Sequence, residues 1–205
     1  MTLVYESEHA AVHRGDALRV LPALPPCSVD AIITDPPYSS GGQYRGDRTA
    51  DPRTKYFPAD SPTRRLETFT GDNRDQRGFL RWSTMWLDEA LRVAQPGAVL
   101  AAFCDWRQLP IMTDAIQAGG WTWRGIVVWC KPNARPRRAR FSAACEYLVW
   151  ATAGGRPVDY PADTLHGFVE ADPPRDRVHP TQKPLEVLRH LVRIAPPDGL
   201  VLDPF

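Results

Sequence analysis

An α/β fold built on a doubly wound, mostly parallel sheet is what this sequence predicts. Compact apolar runs rich in β-branched residues alternate with segments of helical period. One of those runs, residues 29–34, leads straight into the polar tetrapeptide Asp35-Pro36-Pro37-Tyr38. The chain has 205 residues, enough for one domain with a real core and too few for two comfortable ones, so residues 1–205 are read as one domain.

Taken in order, residues 11–14 read as a short strand ended by Gly15-Asp16. A short amphipathic helix follows through Ala17, Leu18 and Leu21, closed by Pro22, Pro25 and Pro26. Residues 29–34 suit a buried parallel strand. Two prolines cannot continue a central strand, so Asp35-Pro36-Pro37-Tyr38 belongs at its C-terminal end, where open α/β sheets build their sites. Residues 39–78 have no apolar period and read as a long variable insertion. Phe79, Trp82, Trp86, Leu87, Ala90, Leu91 and Ala94 fall on one helical face, and Gln95-Pro96-Gly97 stops that helix. Residues 98–104 form a second buried strand ending in Asp105-Trp106. Leu109, Met112, Ala115 and Ile116 mark a helix that Gly119-Gly120 terminates. Residues 121–130 and 146–152 are two further strands, and 153–178 is a second variable loop. Thr181-Gln182-Lys183-Pro184 opens a helix with Leu185, Leu188, Leu191, Val192 and Ala195 on one face. A last strand starts at Leu200-Val201-Leu202, before Asp203-Pro204-Phe205.

Composition narrows the function classes. Hydrophobic content is 43%, that of a globular chain. No apolar run approaches the roughly 20 residues of a membrane span, and Glu6 and Glu8 break any signal-peptide pattern. Cys27, Cys104, Cys130 and Cys145 show no CxxC spacing, so reduced thiols in a cytoplasmic protein are expected. The five histidines form no ligand-spaced cluster, and no metal site is expected. Net charge is only +1, but residues 131–140 carry Lys131, Arg135, Arg137, Arg138 and Arg140 with no acid between them. Such a run is a solvated loop unless an independent feature points to nucleic acid. Trp82, Trp86, Trp121, Trp123 and Trp150 read as packing residues; only Trp106 stands where it would approach a site.

The tetrapeptide supplies that independent feature. An exocyclic amino group on adenine or cytosine is a poor nucleophile, because its lone pair is delocalised into the ring. A carboxylate at Asp35 and the backbone carbonyl of Pro36 can hold its two N–H groups as the nitrogen becomes tetrahedral. Pro36 and Pro37 stiffen the turn, and Tyr38 offers a flat face to a base swung out of the duplex. An ordinary strand-to-loop exit is the plain alternative for these four residues alone.

Two further motifs decide between those readings. His179-Pro180-Thr181-Gln182-Lys183-Pro184, a helix, then Val201-Leu202-Asp203-Pro204-Phe205 follow the tetrapeptide in the chain. In this order they resemble the beta class of DNA amino-methyltransferases, whose catalytic motif precedes the cofactor motif. Gly15-Asp16, Trp129-Cys130-Lys131-Pro132-Asn133 and Cys145-Glu146-Tyr147 extend the resemblance over nearly the whole chain.

The resemblance implies a Rossmann-like methyltransferase sheet, S-adenosylmethionine as cofactor, and methylation of a flipped base in double-stranded DNA. It implies a catalytic role for Asp35, Pro36, Pro37 and Tyr38. It implies cofactor contacts from Thr181, Gln182, Lys183, Asp203, Pro204 and Phe205, with Thr181 equally placed to cap a helix. Asp16 is similar to an acidic position near the cofactor's adenine, although Gly-Asp turns are common. Lys131, Arg135, Arg137, Arg138 and Arg140 become phosphate contacts, and residues 39–78 and 153–178 the segments that would read sequence.

The family's Gly-rich turn, next helix and next strand do not follow Phe205. The expectation is therefore a sheet incomplete at the C-terminus, with an exposed edge beside residues 11–14. It extends to weak cofactor binding by these residues alone, and to a second chain, or a homodimer, that completes the fold. N6-adenine is the expected target, from the Asp form of the motif. N4-cytosine methylation, a non-catalytic DNA-binding remnant and methylation of a protein glutamine amide are the alternatives. The last of these carries Asn first in its motif and the cofactor motif upstream.

Overall fold

The computed structural model describes residues 1–38, 50–56, 69–134, 138–139, 141–155 and 164–205. In chain order the strands are β1 (Thr2–Glu6), β2 (Ala11–Arg14), β3 (Val29–Thr34), β4 (Ala94–Cys104), β5 (Thr122–Cys130), β6 (Cys145–Thr152), β7 (Phe168–Glu170) and β8 (Val201–Leu202). The α-helices are α1 (Ala17–Val20), α2 (Pro52–Tyr56), α3 (Gln76–Val93), α4 (Leu109–Ala118) and α5 (Leu185–Val192).

Six strands form one sheet in the order β7-β5-β6-β4-β3-β8. β3 runs parallel to β4 and β8, and β5 parallel to β7. β6 is antiparallel to both its neighbours, β4 and β5, so five strands share one direction and β6 alone opposes them. The expected α/β class and mostly parallel sheet are what the chain forms.

Burial explains why β4 occupies the middle. Val99, Leu100, Ala101, Ala102, Phe103 and Cys104 are all buried, so both faces of the strand are covered, as a parallel sheet between helices requires. α3 starts at Asp75, whose side chain accepts from the Gly78 amide at 2.7 Å. Phe79, Ser83, Trp86, Leu87, Ala90 and Val93 are its buried face, at the spacing of a helix with one side on the core. The chain passes directly from α3 into β4, and Gly97, at φ 82°, supplies a bend there that an L side chain resists. Trp121 locks the next layer by donating its indole N–H to the Leu87 carbonyl at 2.9 Å.

The structure differs from expectation at several elements. β2 does not join the main sheet. It pairs with β1, a strand the sequence reading omitted, in a separate antiparallel hairpin whose residues are all exposed. The run at residues 2–6 is short and finds its partner through the turn at 7–10, where the Ser7 amide donates to the Ala10 carbonyl at 2.8 Å. α2 and β7 lie inside the two segments read as loops. α5 begins at Leu185 with Pro184 at its N-cap, so Thr181 is not the cap. Its apolar residues divide between two surfaces: Val187 and Leu191 are buried, whereas Leu185, Leu188 and Val192 are exposed. Trp86 and Trp121 are core residues as expected, Trp82 and Trp150 pack at its margin, and Trp123 is exposed. Cys104 is buried, Cys130 and Cys145 are half-buried and face each other across β5 and β6, and Cys27 is exposed. No helix among the described residues is long and apolar enough to cross a membrane.

Candidate active site

Strand direction places the site. β3, β4 and β8 are parallel, so Asp35, Asp105 and Asp203 all leave the sheet at the same edge. β6 runs the other way, so its first residues, Cys145 and Glu146, lie at that edge too. The Thr34 hydroxyl donates to Asp203 Oδ1 at 2.6 Å and ties the ends of β3 and β8 together. At the opposite end of the same two strands, the Leu200 amide donates to Asp30 Oδ2 at 2.8 Å and holds β8 in register.

A cavity of about 740 Å³ opens at this edge, within the range of ligand sites. Asp35, Pro36, Pro37 and Tyr38 form one wall, Thr181, Gln182 and Lys183 a second, and Asp203 and Phe205 a third. Phe69, Thr70 and Asp72 close another side. That wall is anchored by a buried ion pair, Lys55 Nζ to Asp72 Oδ2 at 2.9 Å, both side chains under 5% exposed. His179 packs its ring 5.1 Å from Phe69. Phe205 packs on Trp82 and Trp86 at 5.1 and 5.3 Å.

Four charged groups and a phenol are linked along this edge. Lys183 Nζ donates to Asp35 Oδ2 at 2.5 Å and to the Thr181 carbonyl at 3.3 Å. The same ammonium lies 3.7 Å from Glu146 Oε2. Lys131 Nζ pairs with Glu146 Oε1, and the Tyr38 hydroxyl donates to Glu146 Oε2 at 3.1 Å. Asp35 Oδ1 is closed off from solvent and accepts no hydrogen bond from the described residues. A carboxylate with one oxygen fixed and the other orphaned at a cavity wall is an acceptor awaiting a donor.

Burial and charge act against each other here. Burial raises the Asp35 carboxyl above its ordinary value despite the Lys183 cation beside it. At Glu146 burial pushes upward as well, but the Lys183 and Lys131 cations with the Lys131 and Tyr38 hydrogen bonds prevail and lower it. Burial raises Asp203 against the Thr34 bond, and burial lowers His179.

Residues expected from sequence separate into three groups. Asp35, Pro36, Pro37, Tyr38, Thr181, Gln182, Lys183, Asp203 and Phe205 line one cavity, although they stand as much as 170 positions apart in the chain. Pro204 lies between two of them without lining it. Asp16 lies outside the lining; its carboxylate caps α1 by accepting from the Leu18 amide at 3.0 Å, the common Gly-Asp use. Trp106 is 56% exposed and also outside. Lys131 is turned inward, because Glu146 and the face of Trp129, 4.6 Å away, offer its ammonium better partners than a solvated phosphate surface. Arg138 is exposed. Arg135, Arg137 and Arg140 lie outside the described residues.

Sequence reasoning assigned no role to Glu146, nor any place on the wall to Phe69 and Asp72. For Glu146 a signal existed: a single carboxylate near the start of the otherwise apolar stretch Cys145–Thr152. Buried carboxylates persist when paired.

The sequence pattern of a family described as DNA methylase, N6_N4_Mtase, matches residues 29–171. YubD of Escherichia coli (strain K12), named as a candidate methylase, is 28% identical over 194 residues, covering 94% of this chain and 73% of that one. The type II methyltransferase M.BglII of Bacillus subtilis is 21% identical over 241 residues, covering 95% of this chain and 59% of that protein's length. Among solved structures, PvuII DNA methyltransferase, described as cytosine-N4-specific, aligns with TM-score 0.68 at 15% identity, over 98% of this chain and 76% of that one. The complex of M1.HpyAVI with SAM aligns with TM-score 0.60 at 20% identity, over 94% and 80%.

Proposed function

The chain belongs to the N6/N4 DNA methylase family, and on that premise we propose that it transfers a methyl group from S-adenosylmethionine to the N6 amino group of adenine in double-stranded DNA. The observation that carries this reading is the Asp35 carboxylate, with Oδ2 held by Lys183 and Oδ1 buried at the cavity wall without a partner among the described residues.

The residues present fit the cofactor. Two carboxylates, Asp35 and Asp203, face a cavity large enough for a nucleoside-sized ligand, and they suit a ligand that carries positive charge. Thr181, Gln182 and Lys183 on one side, with Asp203, Pro204 and Phe205 on the other, would hold it. When bound, S-adenosylmethionine supplies a methyl group on a positively charged sulfonium.

The chain's own residues do the rest. Asp35 Oδ1 accepts one N–H of the target amino group, and the Pro36 carbonyl accepts the other. Both bonds strengthen as positive charge develops on the nitrogen, so they act on the transition state more than on the bound base. Tyr38 lies against the base, its hydroxyl tethered to Glu146. Arg138, with Arg135, Arg137 and Arg140, meets the phosphate backbone, and residues 39–78 and 153–178 read sequence. An acid rather than a hydroxyl at position 35 favours adenine; the N4 amino group of cytosine fits the same acceptor pair.

The full chain incubated with tritiated S-adenosylmethionine and unmethylated duplex DNA is expected to move label into DNA and not into added protein or RNA. Label that appears only in protein, or transfer that survives Asp35→Ala, refutes the proposal.

A further inference from the structure

Glu146 is a carboxylate with 18% of its side chain exposed, and three groups converge on it: Lys131, the Tyr38 hydroxyl and, at 3.7 Å, the Lys183 ammonium. Placing a carboxylate in such a position costs several kcal/mol unless partners compensate it. Lys131 and Tyr38 already provide that compensation. The third neighbour, Lys183, spends its short contact on Asp35. Lys183 is 7% exposed and stands between two carboxylates, one in contact and one within about 1 Å of a normal charged hydrogen bond.

We propose that Glu146 is a positioning residue that shares Lys183 with Asp35 and takes over the ammonium when Asp35 accepts the proton released by methyl transfer. This rests on the function proposed above. Before transfer, Asp35 and Glu146 carry two negative charges, and Lys131 and Lys183 two positive ones. The nitrogen lone pair forms the bond to the methyl carbon as the carbon–sulfur bond of the donor would break, its electron pair left on sulfur as the neutral thioether; one N–H bond then breaks and its electron pair returns to nitrogen. The proton forms an O–H bond at Asp35 Oδ1. Asp35 is then neutral, and Lys183, which keeps its three protons, has lost its counter-ion in a largely closed site. Glu146 Oε2 is the replacement, already held in place by Lys131 and Tyr38. The proton leaves Asp35 for solvent when the product departs, and Lys183 returns.

Glu146 reaches this position because, in the six-stranded sheet, β6 alone opposes the other strands, which brings the start of a strand to the edge where its neighbours end. The groups acting on Asp35 are Lys183 and His179 from the segment before α5 and Glu146 from β6. Asp203 after β8 and Cys104 on β4 feel the Asp35 charge in turn. The Glu146 anion helps hold the Asp35 carboxyl up and the Lys183 cation pulls it down. The two residues therefore move Asp35 in opposite directions, a signature that general loosening of the site does not produce, since admitted water acts the same way in both variants.

The native chain, Glu146→Gln, Glu146→Asp and Lys183→Met are compared in methyl transfer to unmethylated duplex DNA across pH. Asp35 is titrated in each by carboxyl-carbon NMR without DNA or cofactor. Glu146→Gln is expected to lower kcat about ten- to a hundredfold with KM for DNA unchanged. Its acid limb and its Asp35 titration both move to lower pH. Glu146→Asp, which keeps the charge, leaves the titration in place and recovers part of kcat. Lys183→Met moves the titration to higher pH. Native kcat in Glu146→Gln, or an Asp35 titration that does not respond, overturns the proposal. If Glu146→Gln does not fold, Lys183→Met and Glu146→Asp decide: movement to the same side in both overturns it. Failure of the native chain to methylate DNA is failure of the functional reading, because the Asp35 titration is read independently of it.

Discussion

Replacing Lys183 with methionine removes the cation between two carboxylates and keeps an unbranched stem in its place. The Lys183 side chain is 7% exposed, and its ammonium lies 2.5 Å from Asp35 Oδ2 and 3.7 Å from Glu146 Oε2. Removing one partner of a buried ion pair costs about 3–5 kcal/mol. The Asp35 side chain is 30% exposed and Glu146 keeps Lys131, so screening brings the expected loss to about 2–3 kcal/mol at neutral pH. The pH dependence has a definite sign. Burial already holds the folded Asp35 carboxyl above its ordinary 3.8, and losing the opposing Lys183 cation raises it further. A carboxyl raised on folding costs stability wherever it is ionised. That cost is full above the folded value and fades as pH falls toward 3.8. The loss in Lys183→Met is therefore largest at neutral pH and shrinks in acid. Urea unfolding of both chains from about pH 8 to about pH 4 reads this directly. A loss below about 0.5 kcal/mol, or one that is the same at every pH, refutes the assignment of Lys183 as the counter-ion of Asp35.

Other outcomes follow from the same site. Asp35→Ala should abolish methyl transfer while DNA retention in a gel-shift assay persists, because the carboxylate acts on the reacting amino group and not on phosphate; equal loss of both contradicts the role. Reversing the charges of Arg137, Arg138 and Arg140 should weaken DNA binding on any sequence and flatten its salt dependence, by about 0.9 in log–log slope for each phosphate no longer neutralised. An unchanged slope returns those residues to a solvated loop. Lys131→Met should leave that slope unchanged and instead lower kcat, since its ammonium pairs with Glu146; a flattened slope shows that Lys131 meets DNA.

What was legible in the sequence was local. The run at 29–34 announces a buried strand, and Pro36-Pro37 ends it, which puts Asp35 at a sheet edge on sequence grounds alone. The face of α3 from Phe79 to Leu91 and the Gly119-Gly120 stop were readable for the same reason, but the helix ends at Val93 and Ala94, expected on its face, already begins β4 ahead of Gln95-Pro96-Gly97. Strand direction and register are not local. Nothing in residues 145–152 states that β6 opposes its neighbours, yet that reversal is what brings Glu146 to Tyr38, Lys131 and Lys183. Lys131 looked like part of a basic loop because its partner stands fifteen positions away on the next strand. At Asp16 the sequence could not separate a capping carboxylate from a binding one; its side chain caps α1 and stands outside the cavity lining. The wall from Phe69 to Asp72 was hidden inside residues 39–78, where no apolar period marks it and a buried Lys55–Asp72 pair holds it.

The identity of the methylated nucleoside reports directly on the chemistry assigned to Asp35. The full chain is incubated with S-adenosylmethionine and unmethylated duplex DNA, the DNA is digested to nucleosides, and these are separated and weighed by mass spectrometry beside an Asp35→Ala control. N6-methyldeoxyadenosine is expected from the native chain and none from the control. N4-methyldeoxycytidine in its place contradicts the adenine assignment while keeping the amino-group chemistry at Asp35. Methylation at a ring carbon, or methylated nucleoside formed equally by the Asp35→Ala chain, contradicts the account at its centre.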